Sequence, residues 1–299
     1  MTRHPLFGLA LAIFGAVMLS PDTLFMRWSG MTGFQMLAWR GLSMGGVLLT
    51  LWLITGMPGR AAIASRAGLT IILCHTINAT LFSLGIAIAP VPVVLFGVAV
   101  SPIFAAIFGW VLAGEMTGRA TWITTAAVLA GIFIAILGRD TGDIAFDANA
   151  VLGALAGLGV AAALALTFVI LRKHRAIPIF PVIGSGSLLA GLAGLTLTGG
   201  PAAMMVGQVW AIALTGLVIL PVSFLALTFA SRHTSATNVS LIMLLETVTG
   251  PIWVWAYADE PLTLPMLIGG TIVVGSLAAY LVVTGRNRPK AVGLPSETG

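Results

Sequence analysis

The sequence predicts an all-α integral membrane protein whose ten transmembrane helices form two inverted five-helix repeats. Three observations carry that expectation. Hydrophobic residues make up 59% of the chain and charged residues only 8%, a balance that would leave a soluble domain without enough polar surface to cover itself. Apolar runs of about 20 residues, each able to cross a hydrocarbon core of roughly 30 Å, recur along the whole chain. Finally, the chain superimposes on itself without gaps after a shift of 145 residues.

Boundaries read at Gly, Pro and charged residues put the helices at 6–26, 33–55, 67–88, 91–113, 120–138, 150–171, 178–198, 206–230, 234–257 and 263–284. The first run exceeds a signal h-region and has no A-x-A-like site, so it is expected to stay as a helix. With the N-terminus inside, the inner segments hold Arg3, Arg60, Arg66, Arg119, Arg172, Lys173, Arg175, Arg232, Arg286, Arg288 and Lys290. The outer loops hold Arg27 and Arg139. Eleven against two sets the orientation, with both termini cytoplasmic. The basic charge is thereby assigned to topology and to contact with an anionic lipid bilayer, and no basic stripe remains for nucleic acid. Trp28, Trp210, Trp253 and Trp255 fall at outer helix ends and Trp52, Trp110 and Trp122 at inner ones, an interfacial belt. The single cysteine, Cys74, excludes an internal disulfide and reads as a buried apolar thiol.

The 145-residue shift lays Gly8 on Gly153, Gly41 on Gly186, Gly46 on Gly191, Thr70 on Thr215, Val94 on Val239, Trp110 on Trp255 and Glu115 on Glu260. Five helices is an odd number, so a first repeat that starts inside ends outside, and the second runs the opposite way. Residues 1–140 then form the first repeat, 148–286 the inverted second one and 287–299 a cytoplasmic tail. Inverted repeats place a site near the bilayer midplane and give alternating access to it.

The candidate site residues are those that cost most to bury. Glu246 lies 12 residues beyond Thr234, roughly 18 Å along a helix and so close to the midplane. Arg40 enters from the outer end of the second helix, and Asp22 sits near the outer end of the first. Each charge needs a partner or a wet cavity. Arg40 can pair with Asp22 or with Glu246 as internal glue, or Glu246 can face the cavity and meet a substrate ammonium or a proton. In CHTINATLF, His75, Asn78 and Phe82 share one helix face and offer a polar and an aromatic wall, or else bonds to neighbouring helices. Ser223 and Thr228 on the eighth helix and Asn238 on the ninth are further substrate-binding candidates, each with a packing role as its alternative. Pro102, Pro221 and Pro251 should each free the carbonyl four residues earlier, those of Val98, Leu217 and Thr247, and permit gating bends. Pro21 beside Asp22 is a candidate outer hinge.

Helices of this plan, the segments SPIFAAIFGWVLAGE and LETVTGPIWVWAYADEP closing the fourth and ninth helices, and Arg40 within AWRGL together resemble the drug/metabolite transporter superfamily. The similarity is to its ten-helix branch of bacterial inner-membrane exporters, and most of all to the aromatic amino acid exporters. It covers nearly the whole chain. The resemblance implies export of aromatic and neutral amino acids or similar small metabolites, through a central cavity lined by the first, third, fourth, sixth, eighth and ninth helices. It implies no cofactor and no enzymatic activity. One departure is visible: Thr247 stands where the first half has Pro102, and the repeat's proline moves to Pro251, so the two fourth helices are expected to bend at different depths.

No P-loop, metal-ligand spacing, H-E-x-x-H or G-x-S-x-G occurs in the chain. Phosphate-driven pumping and most hydrolytic chemistry therefore lack their parts. Two rivals to a carrier stay open at this stage, a passive channel and an intramembrane enzyme built on Glu246, His75 and Arg40.

Overall fold

The computed structural model describes residues 5–89, 91–137, 148–258 and 264–286, and among them every regular element is helical. Arg139, Glu260 and the tail 287–299 lie outside the described residues, as do the side chains of Pro251 and Trp255.

The first predicted helix is two: α1 (Pro5–Leu19) and α2 (Asp22–Ser29). Next come α3 (Gly33–Ile54), a single turn α4 (Arg60–Ile63) and α5 (Arg66–Ile88). The fourth predicted helix is again two, α6 (Val91–Val98) and α7 (Ser101–Ala113), followed by α8 (Arg119–Leu137). In the second half α9 (Ala148–Lys173) and α10 (Ile179–Leu197) are unbroken. A short 3-10 turn follows, and then α11 (Val209–Leu214) runs through the π-helical segment Thr215–Ile219 into α12 (Leu220–Ser231). The ninth predicted helix divides into α13 (Ala236–Met243) and α14 (Leu245–Ala258), and α15 (Leu264–Arg286) ends the described chain.

Among the described residues six stretches are long and apolar enough to cross a membrane: Phe7–Ser29, Gly33–Ile54, Arg66–Ile88, Val151–Lys173, Ile179–Leu197 and Val209–Ser231. Large apolar side chains such as Ile54 and Ile123 point outward, 77% and 70% exposed. Such a surface suits hydrocarbon, where backbone polar groups must be satisfied within each helix. The chain is an all-α multi-pass membrane protein.

Packing follows the small residues. The α3/α10 contact is so close that a Cβ on Gly41 would overlap the backbone of Gly191, and one on Gly45 would sit 2.8 Å from Leu188 N. The same holds for α6 and α9, where a Cβ on Gly97 would lie 2.7 Å from Ala154 O. Small-residue seams of this kind replace the hydrophobic drive that lipid removes. α5 also packs on α9, α8 on α15 and α1 on α12, while α7 lies against both α9 and α13. Phe168, Leu171 and Val160 of α9 sit at the centre of the main core cluster with Leu227, Ile242 and Leu48.

Each break has a local cause. Pro21 has no N–H to give Val17 O, and Ser20 Oγ takes that carbonyl instead at 2.8 Å. Pro102 stands in the first turn of α7, where its missing donor costs nothing. Ahead of Pro221 the helix widens, with Leu220 N–H reaching back five residues to Thr215 O. At the α13/α14 break no proline is needed: Thr247 Oγ1 bonds Leu244 O at 2.7 Å and competes with the helical ladder there. The expectation that the two fourth helices bend at different depths is thus corrected. α6 ends at Val98 and α13 at Met243, positions 145 apart.

Candidate functional site

A cavity of about 50 Å³ lies between α1, α2, α3, α5, α6, α9, α10, α12, α13 and α14. Asp22, Arg40, His75, Asn78, Phe82 and Glu246 all line it. The breaks put them there. Asp22 begins α2 immediately after the Ser20–Pro21 interruption, and Glu246 lies in the first turn of α14, immediately after the Leu244 interruption. Both carboxylates therefore sit at the positive end of a helix dipole, which favours an anion.

Arg40 takes Asp22, not Glu246. Nη1 of Arg40 lies 2.8 Å from Oδ2 of Asp22, with the two side chains 10% and 1% exposed. The contact is an ion pair without in-line hydrogen-bond geometry, and Asp22 Oδ1 and Arg40 Nη1 are left buried without a hydrogen-bond partner. The guanidinium also stands over the Phe82 ring, 5.5 Å from its centroid, a favourable arrangement for a desolvated cation.

His75 is held firmly. Its Nε2 lies 2.9 Å from Ser187 Oγ, and Ser187 in turn reaches Ile183 O at 3.0 Å. A serine has one proton to donate; with that proton on Ile183 O, His75 Nε2–H is the donor and Nδ1 the ring's acceptor. The ring packs edge-on to Phe224 at 5.2 Å. Helix α5 can come this near because the residue opposite is Gly186, whose added Cβ would stand 2.9 Å from His75 Cβ.

Glu246 and Asn78 behave differently. Both are buried, 7% and 6% exposed, yet among the described residues neither side chain has a hydrogen-bond or ion-pair partner. A carboxylate and an amide that no protein group satisfies converge on one cavity, with Phe82 and Phe224 as its aromatic walls. Such groups are costly unless something else meets them.

The remaining candidates lie off this cavity. Ser223 Oγ donates to Ile219 O at 2.6 Å and Thr228 Oγ1 to Phe224 O at 2.5 Å, each closing on its own helix. Asn238 donates to Thr234 Oγ1 at 2.9 Å and accepts from Tyr280 OH at 2.5 Å in a separate network nearer the helix ends. None of these three lines the cavity, and each side chain makes the contact just named. Pro21 flanks the α1/α2 break, whereas Pro102 and Pro221 are buried at helix starts. Sequence reasoning missed Ser187, Phe224 and Met243 in the lining and named Val98 only for its carbonyl; only the pairing of Gly41 with Gly186 pointed near Ser187.

Fold and cavity together define a helical protein with six helices able to cross a membrane and an interior cavity where Asp22, Arg40, His75, Asn78 and Glu246 meet among apolar walls. No family model matches the chain, and no curated protein does. A solved structure described simply as "Crystal structure of protein" is similar over 95% of this chain and 98% of its own, with a TM-score of 0.74 and 18% identity. At that identity the likeness shows a shared fold.

Proposed function

We propose that this chain is a ten-helix carrier of the drug/metabolite transporter type, exporting aromatic and neutral amino acids or similar small metabolites across a bacterial inner membrane by alternating access. The observation that carries the proposal is the unpartnered Glu246 and Asn78 on a buried cavity with aromatic walls. A carboxylate there suits a substrate ammonium, the Asn78 amide and the Arg40 side suit a carboxylate, and Phe82 and Phe224 suit an apolar or aromatic side chain. Protons are a candidate coupling ion at the same carboxylate.

The inverted-repeat reading draws support from the packing. Exchanging the first five predicted helices with the last five maps the α3/α10 and α8/α15 contacts onto themselves, α1/α12 onto α9/α5, and α6 and α7 on α9 onto α13 and α14 on α1. Helix breaks at matched positions after Val98 and Met243 add to it, since interrupted helices in corresponding places of two repeats mark transporter sites. A cavity of about 50 Å³ is well below the ~300 Å³ of a typical ligand pocket, which fits a closed stage of a transport cycle.

Reconstituted protein should show saturable counterflow of a labelled aromatic amino acid. Transport without saturation or counterflow would instead indicate a passive channel. Reporter fusions should place both termini in the cytoplasm; a periplasmic C-terminus would remove the inverted-repeat reading.

A further inference from the structure

A second cavity, of about 70 Å³, lies between α7, α8 and α13, lined by Glu115, Thr117, Thr121, Ser235 and Thr237 among others. The first cavity is lined by Met243 of the same α13 and by Val98 at the end of α6, three residues before α7 begins. Thr237 and Met243 are six residues apart, roughly 9 Å along α13, so the stretch of α13 between them, with the start of α7 against it, joins the two spaces. Ser101 and Ser240 stand there. Helical spacing puts Ser101 on the side of α7 that carries Ala105 and Gly109 of the second cavity. It likewise puts Ser240 on the side of α13 that runs from Ala236 to Met243.

Both hydroxyls are fully buried and neither has a hydrogen-bond partner. That sets them apart from Thr167, Ser223 and Thr228, whose hydroxyls all bond back to their own helix. An orphaned buried hydroxyl is costly, and two in one seam call for a state in which they are met.

We infer that the inner limb of the translocation pathway runs along the α7/α13 seam, past Ser101 and Ser240, and carries polar amine-bearing substrate between the two cavities. This rests on the carrier reading. At the far end the limb is shut by Arg172, which pairs with Glu115 at 2.5 Å and donates to Thr234 O at 2.6 Å. Tyr280 ties the adjoining elements together, 3.2 Å from Thr121 Oγ1 and donating to Asn238 Oδ1. Opening the limb requires that Glu115 exchange Arg172 for another cation, a role the ammonium of an amino acid can take.

The test uses full-length protein in proteoliposomes with Cys74→Ser as background, carrying Ser101→Cys, Ser240→Cys or, as an equally buried control off the seam, Ser223→Cys. A small cationic thiol reagent should label the first two and not the third, phenylalanine should slow that labelling, and Glu115→Gln should speed it several-fold. Seam cysteines as inert as Ser223→Cys in vesicles that perform counterflow would overturn the inference. Absence of counterflow in the wild type would overturn the carrier reading alone, because labelling is read in the same vesicles without substrate. As a second measure, Ser240→Ala removes only an unbonded hydroxyl, so it should leave Tm unchanged or higher while slowing counterflow at least threefold. Unaltered counterflow in that variant would count against the seam.

Discussion

The Arg40 guanidinium lies 2.8 Å from the Asp22 carboxylate and leaves Glu246, on the same cavity, without a partner. Two acids and one base share the space, and the base is already committed. The pair ties α3 to the start of α2, and the Glu246 side chain lines the cavity.

Arg40→Gln should lower stability markedly, since breaking a buried pair strands a charge at a cost of about 3–5 kcal/mol. Asp22→Asn should do the same, and the double variant should recover most of the loss. Thermal unfolding in detergent measures all three. Additive losses in the double variant would show that the two side chains do not depend on one another.

Glu246→Gln should leave Tm within a few degrees of wild type, because no hydrogen bond or close ion pair to its side chain would be lost. Counterflow should fall at least tenfold, since a neutral amide attracts an ammonium far less. Unimpaired transport by the stable variant would exclude Glu246 as the ammonium site.

Gly41→Leu should separate α3 from α10 and abolish folding or cost several kcal/mol, as overpacking does where backbone meets backbone. Gly46→Leu, one turn further along α3 in open space, should be tolerated. Expression level and Tm of the two variants compare them directly.

Trp253→Phe tests the tie between α14 and the α1/α2 break. The Trp253 indole N–H donates to Ser20 Oγ at 2.8 Å, and Trp253 stacks on Tyr257 at 5.8 Å. Phenylalanine keeps much of the packing and loses the donor, so stability should drop by about 1 kcal/mol, and solvent access near Ser20, read by amide hydrogen exchange, should rise. Unchanged access would show that Pro21 alone maintains the break.

Much of this molecule is written in its local pattern. The apolar runs and their lengths determine an all-α membrane chain, because hydrocarbon admits only helices whose backbone is satisfied within the segment or closed barrels. Spacing alone also puts His75, Asn78 and Phe82 on one face of α5, since i, i+3 and i+7 coincide on any helix. The cost of burying Glu246, Arg40 and Asp22 marks them as residues that need a partner or a cavity.

Which of those needs is met, and by what, only the tertiary structure decided. Arg40 pairs with Asp22 because α2 restarts after the Ser20–Pro21 break with Asp22 within reach of α3, and no periodicity carries that placement. Ser223 and Ser240 are alike in sequence terms, but one hydroxyl closes on its own carbonyl and the other on nothing, a choice made by neighbouring helices. The break at Leu244, where Thr247 Oγ1 bonds the Leu244 carbonyl, stands seven residues ahead of Pro251, and no proline in the sequence marks it. Helical period determines which side a residue takes; only packing against other helices determines what that side meets.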